Sequence, residues 1–470
     1  MQVNNSMAGQ NNFRSTDLGS GSIPKLMLRL ALPSVIAQTI NMLYNMVDRM
    51  YIGRIEGVGA FALTGVGLTF PIITLISAFS SLFGTGGAPL ASIKLGEGNK
   101  ERASRILGVS AFMLLCTSAA LFTIFQLFME PLLMAFGASE NTLPYAADYL
   151  SIYLFGTCFV QLTLGLNPYI SAQGRAMTAM CSIIIGAALN IVLDPIFIFA
   201  LNMGVRGAAL ATVLSQAASC TWILCALASE KASIRLERRF VRFDKAILLG
   251  TVALGISPFT MVFTESAVQV VLNRGMMTYG GDMYVGTITI IASVVQLFST
   301  PLHGYTNGVQ PLLSFNYGAG KLDRVRKTFK YLLFSTLAIT MSYCTLIELF
   351  PRVFIRLFAQ DEALIELTVK GLRIYSLGLG IFGLQNAIQS MFVGLGQAKV
   401  SLFIAILRKI ILLIPLALVL PTFLGVNGVY IAEPIADIAS ASIATGLMLY
   451  HFNKILATRE QMLLSQHKGA

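Results

Sequence analysis

Charged residues make up only 12% of this 470-residue chain and apolar residues 55%, at a mean hydropathy of +0.73. Soluble domains carry about twice that charged share, so a soluble fold is excluded. The formal net charge of +11 raises the question of nucleic acid, which the placement of the basic residues answers.

Runs of about 20 mostly apolar residues, enough to cross a bilayer, begin near 26, 58, 106, 145, 177, 207, 247, 284, 328, 371, 402 and 428. The chain therefore reads as an all-α membrane protein with twelve transmembrane helices. Residues 1–24, rich in Asn, Gly and Ser, read as a mobile N-terminal tail rather than a signal peptide. The first six helices occupy 25–228, a basic linker covers 229–246, six more helices occupy 247–452, and 453–470 form a C-terminal tail. Cys116, Cys158, Cys181, Cys220, Cys225 and Cys344 all fall within predicted spans without a C-x-x-C pair; free, buried thiols are expected.

With the N-terminus inside, 25 of the 33 Lys and Arg lie in inner loops, tails and helix ends. The outer side holds Arg49, Arg54, Arg206, Arg274, Arg352, Arg356, Lys370 and Arg373. This is the positive-inside pattern, and it accounts for the basicity without nucleic acid. Both termini and the linker are expected in the cytoplasm, in a bacterial inner membrane.

The second half repeats the first. At an offset of 222, Pro89 meets Pro311, Gly96 and Gly98 meet Gly318 and Gly320, Arg102 meets Arg324, Tyr153 meets Tyr375, and Gly174 meets Gly396. Near the start of each half the offset becomes 225, setting Pro33 against Pro258, and late in each half 221, setting Gly204–Gly207 against Gly425–Gly428. Two six-helix lobes enter the membrane from one side, so a pseudo-two-fold axis along the membrane normal should relate them.

Ionisable groups within spans are costly and mark functional sites by default. Asp48 lies near the outer end of helix 1, where it also reads as a helix-end charge paired with Arg49. Asn190 and Asp194, four apart on one face of helix 5, precede Pro195, which frees backbone carbonyls that can join carboxylates around a proton or Na⁺. In the second half Glu265 lies in helix 7, and Glu433 and Asp437 share a face of helix 12. Helix 11 has Ile411 and Pro415 where helix 5 has Asn190 and Asp194, so the lobes are chemically unequal. Arg408 and Lys409 read as topological anchors rather than ligands.

No G-x-x-x-x-G-K-[ST] loop is present, and three His, His303, His451 and His467, do not make a metal cluster. No H-E-x-x-H or serine-based catalytic set appears, so an enzyme is not expected. Energy must come from an ion gradient, with no other cofactor. The Met and Phe content, 20 and 30 residues, suits adaptable walls for apolar cations but serves lipid-facing surfaces as well.

Several segments together resemble the multidrug and toxic compound extrusion (MATE) family, within it the MepA-like bacterial branch. They are Pro33 with Tyr44-Asn45-Met46-Val47-Asp48, Gly84-Thr85-Gly86-Gly87, Asn190 to Pro195, Gly204-Val205-Arg206-Gly207 with Thr212, and Gln310 to Gly318. The resemblance implies a MATE/MOP-type fold, a V-shaped pair of lobes that exports organic, mainly cationic drugs in exchange for H⁺ or Na⁺. It implies that Asp48, Asn190, Asp194 and Thr212 form the N-lobe cation and proton site, open to Na⁺. It matches Glu265 to the helix 7 acid of the NorM-like branch, whose helix 10 acid is here Asn386; Glu265 and Asn386 then form a substrate or secondary acidic site, and coupling falls to the N-lobe. Small-molecule cations and the bilayer are the expected partners, with no obligatory protein partner. Related flippases for lipid-linked sugars are the alternative, and would need a cationic cavity where this chain places mostly acids.

Overall fold

The computed structural model describes residues 17–468, so the parts of the predicted tails at 1–16 and 469–470 lie outside the described residues. Ten helices are long and apolar enough to cross a membrane. They are helix 1 (Ile23–Gly53), helix 2 (Gly59–Gly96), helix 3 (Lys100–Leu127), helix 5 (Ala176–Ala200), helix 6 (Gly204–Ala228), helix 7 (Lys245–Gly280), helix 8 (Asp282–Gly318), helix 9 (Leu322–Leu349), helix 11 (Ala398–Leu424) and helix 12 (Val426–Lys468). Two bent pairs, each counted as one span, bring the number to twelve: helix 4 (Leu143–Phe155 with Thr157–Ala172, bent by 60°) and helix 10 (Glu362–Ser376 with Leu379–Gly394, bent by 46°). No strand occurs among the described residues. Within a bilayer that is the expected outcome, because helices satisfy their own backbone groups.

Both bends fall at glycines that the repeat pairs, Gly156 and Gly378. A Cβ on Gly156 would stand 2.6 Å from Val213, and one on Gly378 2.7 Å from Pro434. Each bend is thus the place where helix 4 or helix 10 presses on helix 6 or helix 12. The turns repeat as well: Gly98 and Gly320, Gly174 and Gly396, and Gly204 and Gly425 all adopt positive φ, between 54° and 80°, which glycine reaches without a side-chain clash.

The lobes meet through helix 2 against helix 7 and, symmetrically, helix 1 against helix 8. At the end of the molecule that carries the described termini, Gly96 packs on the Phe315 carbonyl and Gly318 on the Ile93 carbonyl; an added Cβ would lie 2.1 and 2.0 Å from those oxygens. Gly96 and Ile93 are the repeat partners of Gly318 and Phe315, so the pseudo-two-fold axis passes between these contacts. Gly86 against Gly255 and Gly308 against Ala31 extend the closure along the same half. Farther along helix 7 from this closed end, Phe263 and Glu265 are exposed.

Three expectations need correction. Residues 17–22 are not a loose tail: Leu18 is buried, its carbonyl accepts from Asn316 Nδ2 at 2.9 Å, and Lys321 and Arg324 donate to the carbonyls of Gly19, Ser20 and Gly21 at 2.8–3.1 Å. The predicted C-terminal tail continues helix 12 as far as Lys468, and its Arg459 pairs with Glu97 of the other lobe at 2.9 Å. The six cysteines are free, but only Cys220 is buried; Cys116 and Cys225 are exposed, because a free thiol behaves as a small apolar group, as compatible with a lipid-facing surface as with a core.

Candidate functional site

Within the N-terminal lobe, helix 1 supplies Asp48, helix 5 Asn190 and Asp194, and helix 6 Thr212. Asn190 Nδ2 donates to Asp194 Oδ1 at 3.2 Å and to Thr212 Oγ1 at 3.4 Å, while the Thr212 hydroxyl donates to the Ala208 carbonyl at 3.1 Å. The Asp48 and Asp194 carboxyls are close enough to interact electrostatically. Asp194 is fully buried and Asn190 is 1% exposed. The four predicted residues are therefore one cluster. Arg49 does not neutralise Asp48 by a close ion pair; its guanidinium lies 4.3 Å from the Phe70 ring centroid.

Three buried oxygens in this cluster, Asp48 Oδ1, Asn190 Oδ1 and Asp194 Oδ2, have no hydrogen-bond partner among the described residues. Orphaned buried acceptors are rare and call for an explanation. Two facing carboxylates would repel, and a shared proton or a small hard cation relieves both faults at once. The donor set of carboxylate, amide and hydroxyl oxygens suits either species.

Tyr44, Tyr149 and Tyr153 stand around the cluster; Tyr149 approaches Thr212 and stacks on Tyr153 with ring centroids 6.0 Å apart. Sequence reasoning assigned no site role to this tyrosine wall. The four-residue spacing of Tyr149 and Tyr153 on helix 4 was the available signal, but nothing in it says which way that face points.

The backbone around the site is irregular where the sequence places Pro195. Helix 5 passes at that residue into a π-helical turn, Ile196–Ala200, the kind of local widening that recurs at functional sites. Helix 11 also has a π-helical turn, at Leu407–Leu413 ahead of Pro415 rather than after it, and this one shapes the C-terminal lobe.

Arg408 and Lys409 sit in that π-helical turn and are not topological anchors. Arg408 donates to Asp437 at 2.6 Å and to Glu433 at 2.7 Å, with the Phe382 ring centroid 4.6 Å away. Lys409 pairs with Glu265 and donates to the Met261 carbonyl at 3.0 Å. The anchor reading failed because a π turn and the approach of helix 12 bring three acids onto these two bases, and neither is visible in the hydropathy of helix 11. Glu433 and Asp437 do share a face, as their spacing predicted, and that face meets Arg408. Asn386 lines the same small pocket as Arg408 and Lys409, but the partner of Glu265 is Lys409. The intramembrane acids of this lobe are thus largely balanced by internal cations.

A buried polar cluster within each of two packed six-helix lobes is the arrangement of a polytopic membrane transporter, not an enzyme. The MatE family model matches residues 33–196 and again 258–419, one copy in each lobe. The chain belongs to the MatE family. It is 26% identical over 442 residues to the multidrug export protein MepA of Staphylococcus haemolyticus, covering 94% of this chain and 97% of that protein. The Staphylococcus aureus MepA is 24% identical over 426 residues, 91% and 93% of the two chains. Among solved structures, a MATE in the bent conformation superposes with a TM-score of 0.88 at 24% identity, over 95% of this chain and all of that one. An outward-facing multidrug resistance MATE transporter of the MOP superfamily gives 0.87 at 24% identity over 94% and 99%. A MOP superfamily transporter from Pyrococcus furiosus, described for the reverse polarity of its binding pocket, gives 0.86 at 25% identity over 94% and 99%.

Proposed function

We propose that the protein is a secondary multidrug efflux transporter of the bacterial inner membrane, exporting organic, mainly cationic compounds by antiport with H⁺ or Na⁺. In this reading both termini lie in the cytoplasm, so the closed end faces inward and the space between the lobes opens outward, in keeping with the distribution of Lys and Arg. The names of the MepA relatives support the class of cargo. The carrying observation is the Asp48–Asp194 pair, which together with Asn190 holds three unpartnered buried oxygens. When a proton or Na⁺ neutralises that pair, the lobe loses the negative charge that attracts a cationic compound, so the two cargoes oppose each other's binding with reciprocal strength.

Asp48 and Asp194 hold the exchangeable charge in this scheme, Asn190 bridges Asp194 to Thr212, and the tyrosines seal the cluster from water. No nucleic acid or obligatory protein partner enters. The test is dye efflux by purified protein in proteoliposomes under separately imposed proton and Na⁺ gradients. Efflux driven by at least one gradient is expected; transport indifferent to both, or ATP-dependent, would sink the antiport reading. A flippase for lipid-linked sugars, the weaker alternative, should ignore dyes and move anionic lipid precursors instead.

A further inference from the structure

We propose that Lys409 is a tethered cation that competes with the cationic substrate for Glu265, and so sets how much positive charge a compound must carry to bind the C-terminal lobe. The proposal rests on the export reading above and adds a specificity determinant to it. Met261 and Glu265, four apart on one face of helix 7, hold the Lys409 ammonium between a carbonyl and a carboxylate. The two partners differ sharply in exposure: the Lys409 side chain is 9% exposed and that of Glu265 72%. A solute therefore reaches the carboxylate and not the ammonium behind it.

A cation arriving at Glu265 must share the carboxylate with Lys409 or drive the ammonium to another acceptor, since a buried ammonium left unpaired is strongly unfavourable. The structure holds such an acceptor. Arg408 engages one oxygen of Glu433, while the other, Oε2, is buried without a partner, and Lys409 is near enough to act on Glu433 electrostatically. In formal charges, Glu265, Glu433 and Asp437 oppose Arg408 and Lys409, three against two. The cluster has room for one more positive charge, and Lys409 decides where it can sit.

The experiment is equilibrium binding of ethidium, a monocationic dye, to the purified full-length protein and to Lys409→Met, Lys409→Arg, Glu265→Gln and the double variant Glu265→Gln/Lys409→Met. Each is checked for monodispersity by size exclusion. Lys409→Met should bind ethidium on the order of tenfold more tightly, because a like charge near the site is gone, and Lys409→Arg should resemble the wild type. Glu265→Gln should bind more weakly than the double variant, because it leaves the ammonium facing the ligand. A folded Lys409→Met with unchanged or weaker affinity, or the same change with and without Glu265, overturns the proposal. Where Lys409→Met does not fold, unchanged ethidium affinity in Glu265→Gln overturns it. A wild type that binds no organic cation overturns the export reading first, whereas wild-type binding that all these variants share overturns only the role of Lys409.

Discussion

Asp194 has one oxygen held by Asn190 and another with no partner, in a residue that is fully buried. Replacing it with Asn keeps the shape and removes a charge whose burial is unfavourable. Asp194→Asn should therefore insert and fold as the wild type does, with a thermal midpoint in detergent no lower, while gradient-driven dye efflux falls to the passive leak. Asp48→Asn should behave the same way. Wild-type efflux with unaltered ion sensitivity in both variants would place coupling elsewhere. Glu265→Gln is expected to differ in kind: it alters which cations are carried and leaves gradient dependence in place. These roles were legible as residue types at a spacing, Asn190 and Asp194 on one helical face ahead of Pro195. The contribution of Tyr149 was not, since a tyrosine in a span reads the same whether it faces lipid, core or site.

Helix 11 shows what an irregular element does to buried charge. Its π-helical turn presents Arg408 and Lys409 to acids from two different helices, and Arg408 is only 15% exposed. Removing one member of a buried network leaves the others uncompensated, at about 3–5 kcal/mol. Arg408→Ala should thus lower unfolding stability by roughly that amount, measured by chemical or thermal denaturation in detergent. Replacing Arg408, Glu433 and Asp437 together by apolar residues of similar size should recover most of the loss. A single substitution as harmless as the triple one would show that the network carries little of the lobe's stability.

The two lobes are fastened at their terminus-bearing end by more than glycine packing. Residues 17–22, which lead into helix 1 of one lobe, are strapped to Asn316, Lys321 and Arg324 of the other. Arg459 crosses in the reverse direction to Glu97 and also donates to the Gly318 carbonyl at 2.8 Å. Alternating access requires this end to open, so these contacts bias the conformational equilibrium toward the closed form described here. Glu97→Ala breaks a partly exposed pair worth up to about 1 kcal/mol, which should raise the open population roughly fivefold at most. Spin-label distances between helices 2 and 8 at that end would report it, and the effect should shrink at high salt, where the pair is already screened. Identical distance distributions at low salt in wild type and Glu97→Ala would exclude the pair as a latch.

The sequence by itself determined the apolar spans, the duplication and the shared face of Asn190 and Asp194, because apolar run length, the repeat offset and a polar pair at one helical spacing are local properties that the bilayer converts directly into structure; that Asp48 and Thr212 belong with them was implied only by the family resemblance. Even the axis was implied by an even number of spans per repeat, and the paired approach of Gly96 and Gly318 marks its position. The tertiary structure alone decided the C-terminal lobe. Whether Lys409 is an anchor at the membrane surface or a buried partner of Glu265 depends on how far a π turn rotates helix 11 and on which helix packs against it. Hydropathy carries neither. The same holds for the straps at the closed end: Leu18 and Arg459 lie in segments whose composition reads as solvated, and only their contacts with the opposite lobe, some 300 residues away in the case of Leu18 and Asn316, turn them into part of the transporter's moving interface.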